Sequence, residues 1–139
     1  SIPIKILSRQ ICRAHRIPVL MVTDNGDSII LDIERFDKEP KRQLLHGIME
    51  HINPEDIQSL DFKAWVKITN KIVGSEFLGK RMKQSITQIG NTLSGIPQLG
   101  TSAAVGASLT SLAIRNIANA QYIPSGRYHI ELKKLISIR

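Results

Sequence analysis

Apolar side chains near the start of the chain recur at the spacing of one helix face. They are Ile4, Leu7, Ile11 and Ala14, and arginines occupy the other faces. This spacing predicts an amphipathic helix over residues 4–16 that ends before Pro18. The apolar runs PVLMVT and SIILDIERF then flank DNGD, whose Asn25-Gly26 pair favours a tight turn. We therefore expect two antiparallel strands after the first helix.

The rest of the chain is dominated by helical periodicity. A short helix is expected over residues 41–52, and longer helices over 54–74, 75–95 and 101–119. The helix over 54–74 has an apolar stripe made of Phe62, Trp65, Val66, Ile72 and Val73. The Ala and Gly residues of 101–119 predict a buried helix that packs closely on a sheet.

The segment YHIELKKLISI near the end of the chain alternates between apolar and polar residues. Alternation of this kind predicts one or two closing strands. The order helix, strand, strand, helices, strand then gives an α/β or α+β fold class with antiparallel pairing around Asn25-Gly26. A chain of 139 residues with 42% apolar residues is long enough for one domain with one core.

Charge is distributed unevenly along the sequence, which has a net charge of +7. Residues 1–61 carry 8 basic and 10 acidic side chains, whereas residues 62–139 carry 11 basic and 2 acidic ones. Six basic residues recur on the later helices: Lys63, Lys67, Lys71, Lys80, Arg81 and Lys83. Clustered cations can bind phosphates, but the aromatic content of 4% provides no stacking platform. A solvated face, or a surface for an acidic protein, is the favoured interpretation, with nucleic acid as the alternative.

No charged residue occurs between residues 84 and 114, which raises the question of a membrane span. Pro97 interrupts this stretch, and its Gln, Asn, Ser and Thr residues are costly in hydrocarbon. We therefore expect no membrane span. The single cysteine, Cys12, excludes an intramolecular disulfide and fits a reducing compartment.

The residue pattern gives little support for a metal site or for a catalytic nucleophile. His46 and His51 are five residues apart and would not share a helix face, and no HExxH spacing occurs. The cluster Asp24, Asp27 and Asp32 could hold a divalent ion, although the first two also suit turn chemistry. Cys12 fits a structural thiol better than a nucleophile. The sequence also contains no GxGxxG or P-loop to hold nucleotide phosphates.

Three segments, taken in order, resemble the C-terminal half of the ThiF/MoeB/HesA family of ubiquitin-activating-type adenylating enzymes. They are RQICRAHRIPVLMVTDNGDSIILDIERFD, IPQLGTSAAVGASLTSLAIRNIANAQ and IPSGRYHIEL. In that family an Asp at a strand end is followed five residues later by Arg or Lys. A helix then carries a Cys six residues before the Pro of the next strand. Lys5, Cys12 and Pro18 match this spacing, which places the family's Asp immediately before Ser1.

The resemblance implies a Rossmann-like fold with a mixed sheet, an antiparallel strand pair and packed helices. Residues 1–139 would form a single-domain fragment whose nucleotide-binding part lies upstream. The implied activity is ATP-dependent and Mg²⁺-dependent activation of a carboxylate as an acyl-adenylate. The carboxylate would be the C-terminus of a ubiquitin-like or sulfur-carrier protein, or of a peptide. The enzyme would be a cytoplasmic homodimer, with no nucleic acid or membrane as partner.

The resemblance assigns two sets of site residues. Lys5 matches the family's phosphate-binding cation, while Thr23, Asp24 and Asn25 match the strand end that faces the substrate tail. No catalytic residue and no metal ligand is assigned within the chain. The paired CxxC motifs and the later catalytic Cys of many family members are missing, so we expect no zinc and no thioester step. The alternative function is a noncatalytic interaction module derived from this family.

Overall fold

The computed structural model describes residues 2–49 and 59–136, with the backbone alone at Phe62. The first element of the chain is helix α1. It spans Ile2–Ala14. It ends where Arg16 adopts a left-handed conformation (φ 55°) and the Ile17 N–H donates to the Cys12 carbonyl at 2.8 Å. The predicted first helix is therefore confirmed, with both bounds two residues earlier.

The three strands form an antiparallel sheet in the order β1-β2-β3. Their bounds are Val19–Asp24 for β1, Ser28–Glu34 for β2 and Gly126–Glu131 for β3. The Asn25 N–H donates to the Ser28 carbonyl at 2.9 Å and closes the β1-β2 turn. The predicted antiparallel pair is confirmed. The closing segment provides one strand, after which residues Leu132–Ile136 form a 3-10 helix.

Residue contacts divide the chain into two units. Unit 1 comprises Ser1–Leu20, Asp32–Val73 and Pro124–Arg127. Unit 2 comprises Met21–Leu31, Gly74–Ile123 and Tyr128–Arg139. The fold class is therefore mixed α/β, with helices and an antiparallel sheet whose strands contribute residues to both units. The single-domain description of residues 1–139 stays a prediction.

Unit 1 contains α1, a 3-10 turn at Leu44–Gly47 and helix α2 at Phe62–Val73. The predicted apolar faces of both helices were wrong in part. On α1 the buried residues are Ile2, Ile6 and Arg9, while the predicted stripe lies in solvent. On α2 the buried residues include Ile68 and Ile72, whereas Trp65 is 43% exposed.

The predicted short helix over 41–52 is replaced by the 3-10 turn as far as the structure describes it. Residues 50–58 lie outside the described residues, as does the start of the predicted helix over 54–74. Left-handed backbone at Leu45 and His46 prevents an α-helix in this segment.

Unit 2 contains helix α3 at Lys80–Ile86 and helix α4 at Gly100–Ala118. The sequence predicted one helix over residues 75–95, and this was wrong at both ends. Residues Ser75–Phe77 form a separate 3-10 turn, and α3 stops because Gly90 takes φ +85° in the turns that follow. The Thr87 hydroxyl also donates to the Gln84 carbonyl at 2.7 Å, which favours a turn over another helical residue.

Helix α4 packs on the sheet through one narrow face. Ser102, Gly106 and Ala113 are buried on that face. A Cβ at Gly106 would lie 2.7 Å from Val22 Cγ1 of β1, so helix and strand meet at a distance that only glycine permits. The predicted close packing is confirmed, but full burial was wrong because Leu112 and Ile114 are 41% and 52% exposed. No helix in the described part of the chain is long and apolar enough to cross a bilayer.

We predict that Gly106→Ala destabilises the chain by about 1–3 kcal/mol, because the new methyl group forces Val22 or α4 to shift. Gly100→Ala, in the same helix and with open space around its Cβ position, should leave stability unchanged or slightly raised. Urea unfolding of both variants measures the difference. Equal stability of the two variants would contradict close packing at Gly106.

Candidate functional site

The second half of β2 places two carboxylates inside unit 1. Asp32 is 1% exposed and Glu34 is 0% exposed. They follow Ile30 on the same face of the strand, since alternate residues of a strand share a face. A buried carboxylate is costly without donors or counter-ions. We therefore describe the charged cluster, defined as Arg9, Asp32, Glu34, His46 and Arg127.

Glu34 has a different donor for each carboxylate oxygen. Arg9 Nε lies 2.5 Å from Glu34 Oε2, and the Leu45 N–H donates to Oε1 at 2.7 Å. Arg9 Nη1 also donates to the Lys5 carbonyl at 3.0 Å. Charge-assisted bonds of this kind are stronger than neutral ones. Glu34 thus joins α1 and the 3-10 turn to β2.

Asp32 contacts two basic side chains. Its Oδ1 lies 3.1 Å from His46 Nε2 and 3.5 Å from Arg127 Nε. Neither contact has the geometry of an aligned hydrogen bond, and all three atoms are buried. Arg127 also donates from Nη1 to the Lys71 carbonyl at 2.8 Å and from Nη2 to the Ile72 carbonyl. It therefore connects β3 and Asp32 to the C-terminal end of α2, where cations are favourable.

His46 is held through both ring nitrogens. Arg42 Nη2 lies 2.9 Å from His46 Nδ1, and since arginine has only donors, Nδ1 must accept. The ring proton then lies on Nε2 and faces Asp32. In this arrangement Nδ1 contacts Arg42 and Nε2 lies against the Asp32 carboxylate. Within unit 1, the charged cluster therefore joins α1, β2, the 3-10 turn and β3.

The turn that carries His46 has an unusual backbone. Leu45 and His46 take φ values of 50° and 55°, and both are left-handed. Each such residue costs on the order of 1–2 kcal/mol. Leu45 is 1% exposed and its N–H is bonded to Glu34, so burial and this hydrogen bond offset the cost. This turn places the His46 ring in contact with Asp32.

Arg35 and Asp37 form a second ion pair, just beyond β2. Arg35 Nε and Nη2 donate to the two oxygens of Asp37 at 2.8 and 2.6 Å. This pairing lowers the pKa of Asp37 below its ordinary value of 3.8 and raises the pKa of Arg35. The Arg35 N–H donates to the Ser125 hydroxyl at 2.9 Å, which connects this pair to the start of β3.

The predicted tail-binding residues lie together in unit 2, at the end of β1. Thr23 and Asp24 are half-buried and Asn25 is 2% exposed. Asp24 Oδ1 accepts from the Gly26 N–H at 2.8 Å, which confirms a role in the turn. Its other oxygen, Oδ2, is buried and has no hydrogen-bond partner among the described residues.

Lys5, the predicted phosphate-binding residue, lies in unit 1 on α1 and is half-buried. Its carbonyl accepts from Arg9 and from the Ser8 hydroxyl. Cys12, on the same helix, is also half-buried. The role of Lys5 stays a prediction.

The cationic residues of α3 border two open depressions of about 550 and 530 Å³ in unit 2. Lys80, Lys83, Gln84 and Thr87 line the first, and Arg81 lies on the second. Among the described residues no aromatic side chain lines either depression, so neither offers an aromatic platform for a base. In the described residues, no group of three or more His, Cys, Asp or Glu side chains could hold a metal ion.

Sequence reasoning missed the charged cluster. Asp32 was considered only as a metal ligand, and Arg9 was placed on an outer face. The signal was present, because the run IILDIE alternates carboxylates with large apolar residues inside a strand. Carboxylates that replace apolar residues on one face of a strand indicate buried partners elsewhere in the chain. The left-handed turn at Leu45 and His46 had no such signal.

Comparison with known proteins adds one relative. A protein of Mycobacterium tuberculosis (strain CDC 1551 / Oshkosh) named "Uncharacterized protein MT1398" is 33% identical to this chain over 132 residues. The match covers 95% of this chain and 18% of the relative, so the chain spans less than a fifth of the length of that relative. No family model and no solved structure matches the chain.

We predict that Arg9→Met destabilises the chain by about 3 kcal/mol, because it leaves the buried Glu34 carboxylate without its counter-ion. Lys134→Met is the matched control, since it breaks a pair that lies in solvent at 2.9 Å from Glu131, and it should change little. Urea unfolding at neutral pH measures both. A loss for Arg9→Met no larger than that of the control would contradict the importance of the buried pair.

We predict that the stabilising effect of Asp37 depends on pH. Because its pKa is lowered in the folded chain, the carboxylate contributes stability above the ordinary value of 3.8, and this contribution is lost as the pH falls through the lowered pKa. Asp37→Asn should therefore be less stable than the unchanged chain at pH 7, and the difference should shrink in acid. Urea unfolding over a pH series tests this, with Asp27→Asn as an exposed control. A difference that grows towards acid would contradict the sign.

Proposed function

We propose that this chain is part of an ATP-dependent adenylating enzyme of the ThiF type. The enzyme would activate the C-terminal carboxylate of a ubiquitin-like or sulfur-carrier protein, or of a peptide, as an acyl-adenylate. The order α1, β1, β2, α4, β3 supports this, because the three resembling segments fall on these elements in the same order. Location in the cytoplasm and a reaction without zinc or a thioester step belong to the same proposal.

The observation that carries the proposal is the state of Asp24 at the end of β1. One carboxylate oxygen is fixed by the Gly26 N–H, while the other is buried and has no hydrogen-bond partner among the described residues. A buried acceptor left without a donor costs about 1–3 kcal/mol. The backbone N–H groups of an extended substrate tail would supply this donor. Asp24 thus supports a peptide tail at the strand end to which the resemblance assigns it.

The position of β1 in the sheet supports an extended ligand as well. In the strand order of the described residues β1 has one neighbouring strand, β2. An edge strand can pair with an extended peptide through its backbone groups. Thr23 and Asn25, which flank Asp24, would then contact the last residues of the tail.

The nucleotide itself does not fit the donors of this chain. The sequence has no glycine-rich phosphate loop, and the described residues offer no group of metal ligands. Lys5 is one cation and cannot replace a loop of backbone N–H groups. The proposal therefore assigns ATP and Mg²⁺ to other parts of a longer polypeptide, and we derive no catalytic step from this chain. The length of the matched relative is consistent with such a polypeptide.

A noncatalytic interaction module is the second candidate. Large apolar side chains in solvent favour it, since contiguous exposed apolar surface marks interaction sites. On α1, Ile4, Leu7 and Ile11 recur on one helix face and are 66%, 56% and 51% exposed. The two candidates differ in whether a carboxylate is activated.

We predict that the full-length protein exchanges pyrophosphate into ATP when its carrier protein is present, and that the 139-residue chain alone does not. In the full-length protein, Asp24→Asn should raise the KM for the carrier about tenfold, because the buried acceptor is replaced by an amide donor. Asp27→Asn is the control, since the Asp27 side chain is 62% exposed and 3.7 Å from Lys133.

Two results would overturn the proposal. Pyrophosphate exchange by the 139-residue chain alone would contradict the claim that this chain lacks a nucleotide site. If the full-length protein showed no exchange with any carrier or peptide carboxylate, the noncatalytic module would be favoured. An unchanged KM for Asp24→Asn would show that the substrate tail does not bind at the end of β1.

A further inference from the structure

Helix α3 carries two lysines on the side that faces solvent. Lys80, Lys83 and Gln84 lie on one side of the helix, and Thr87, directly after its last residue, continues the same side. All four residues are exposed, and they line the first of the two depressions in unit 2. We call these four residues the basic face of α3. Met82 lies on the opposite side of the helix and is 8% exposed.

The cations of α3 have no acidic partner in the described part of the chain. Among the described residues, no ion pair involves the two lysines of the basic face or the neighbouring Arg81. The sequence also contains no Asp or Glu between Glu76 and Glu131. Fixed cations without counter-ions produce a positive potential that attracts an anionic partner.

Met82 packs α3 against the turn that follows β1. Its Cε lies 3.3 Å from the position that a Cβ would occupy on Gly26. The Gly26 N–H in turn donates to Asp24 Oδ1 at 2.8 Å. The basic face therefore lies about one helix diameter, roughly 10 Å, from the turn at the end of β1. Within unit 2, the cations are thus close to the strand end at which we place the extended tail.

The Asp24 carboxylate favours a polypeptide over a nucleic acid as the partner. Its Oδ2 is buried and has no hydrogen-bond partner among the described residues. Backbone N–H groups of a polypeptide can donate to this oxygen, whereas phosphate oxygens are acceptors. A phosphate backbone that reached the end of β1 would also meet a like charge. An acidic polypeptide can satisfy both the lysines of α3 and this acceptor.

We propose that the basic face of α3 is a docking surface for an acidic segment of the protein whose extended tail binds at the end of β1. This inference rests on the proposed function for the tail, and it adds the charge of the partner and the place where that charge is read. Complementary charge speeds the encounter of two proteins and orients them, so the tail would arrive at β1 already aligned.

Fluorescence anisotropy of the 139-residue chain tests the docking, with synthetic peptides as probes. One peptide has a run of glutamates before a neutral tail of Thr and Val, and the second has glutamine in place of each glutamate. We expect tighter binding of the glutamate peptide at low ionic strength. Lys80→Gln/Lys83→Gln should weaken that binding about fivefold, because exposed ion pairs are individually weak and are screened by salt.

The matched control is Lys63→Gln/Lys67→Gln on α2. It also removes two exposed lysines and changes the net charge by the same amount, so it should leave the affinity for the glutamate peptide nearly unchanged. Charge reversal gives a second readout. Lys80→Glu/Lys83→Glu should bind a peptide with lysines in place of the glutamates more tightly than the unchanged chain does, a gain that loss of folding cannot produce.

The docking surface and the tail site can fail separately. Asp24→Asn should weaken the glutamate and glutamine peptides by the same factor, whereas the α3 variant should affect the glutamate peptide alone. If Asp24→Asn changed neither affinity while the α3 variant still weakened the glutamate peptide, the docking surface would stand and the tail site would fail.

Four results would contradict the docking surface. They are equal affinity for the two peptides, an equal loss from the α3 variant and the α2 control, and no gain for the lysine peptide on charge reversal. The fourth is binding by the 139-residue chain that the full-length protein lacks, which would show that the rest of the longer polypeptide covers α3. Tighter binding of single-stranded RNA than of the glutamate peptide, lost in Lys80→Gln/Lys83→Gln, would assign the face to nucleic acid instead.

Discussion

The Glu34 carboxylate lies out of contact with water, so each of its oxygens needs a donor from the protein. One donor comes from the Arg9 side chain on α1, and the other from the Leu45 N–H of the left-handed turn. Neither element can move away without leaving a charged oxygen buried and unpaired. The rotation of α1, and with it the identity of its outer face, follows from this single group.

The same requirement explains the rest of the charged cluster. Asp32 lies two residues earlier on the same strand face, and its carboxylate contacts His46 and Arg127. The left-handed backbone at Leu45 and His46 is tolerated because it places the Leu45 N–H on Glu34 and the His46 ring beside Asp32. Such strained and charged arrangements are common at functional sites, but here both nitrogens of His46 are engaged. The contacts of the cluster join elements of unit 1, and the ligand site that we propose is at the end of β1.

Local pattern predicted much of the fold. The hairpin at Asn25-Gly26, α1 and α4 follow from turn chemistry and periodicity, which act over a few residues. Local pattern did not predict which face of each helix is buried, because periodicity identifies an apolar stripe without showing whether that stripe packs against the core. On α1 the buried side was decided by Arg9, whose partner Glu34 is 25 residues away. Of the candidate site, Thr23, Asp24 and Asn25 were assigned by the family resemblance alone, whereas the lack of a donor for the second oxygen of Asp24 depends on tertiary packing.

Arg127 stabilises the end of α2 although 55 residues separate it from Ile72. During synthesis α2 leaves the ribosome well before β3, so its last carbonyls and the Asp32 carboxylate lack this partner until Arg127 has been synthesised. Contacts of such long sequence separation form late and slow folding. Until Arg127 has been synthesised, the nascent chain holds a carboxylate that can be buried only at high cost, so complete closure of unit 1 follows the synthesis of β3.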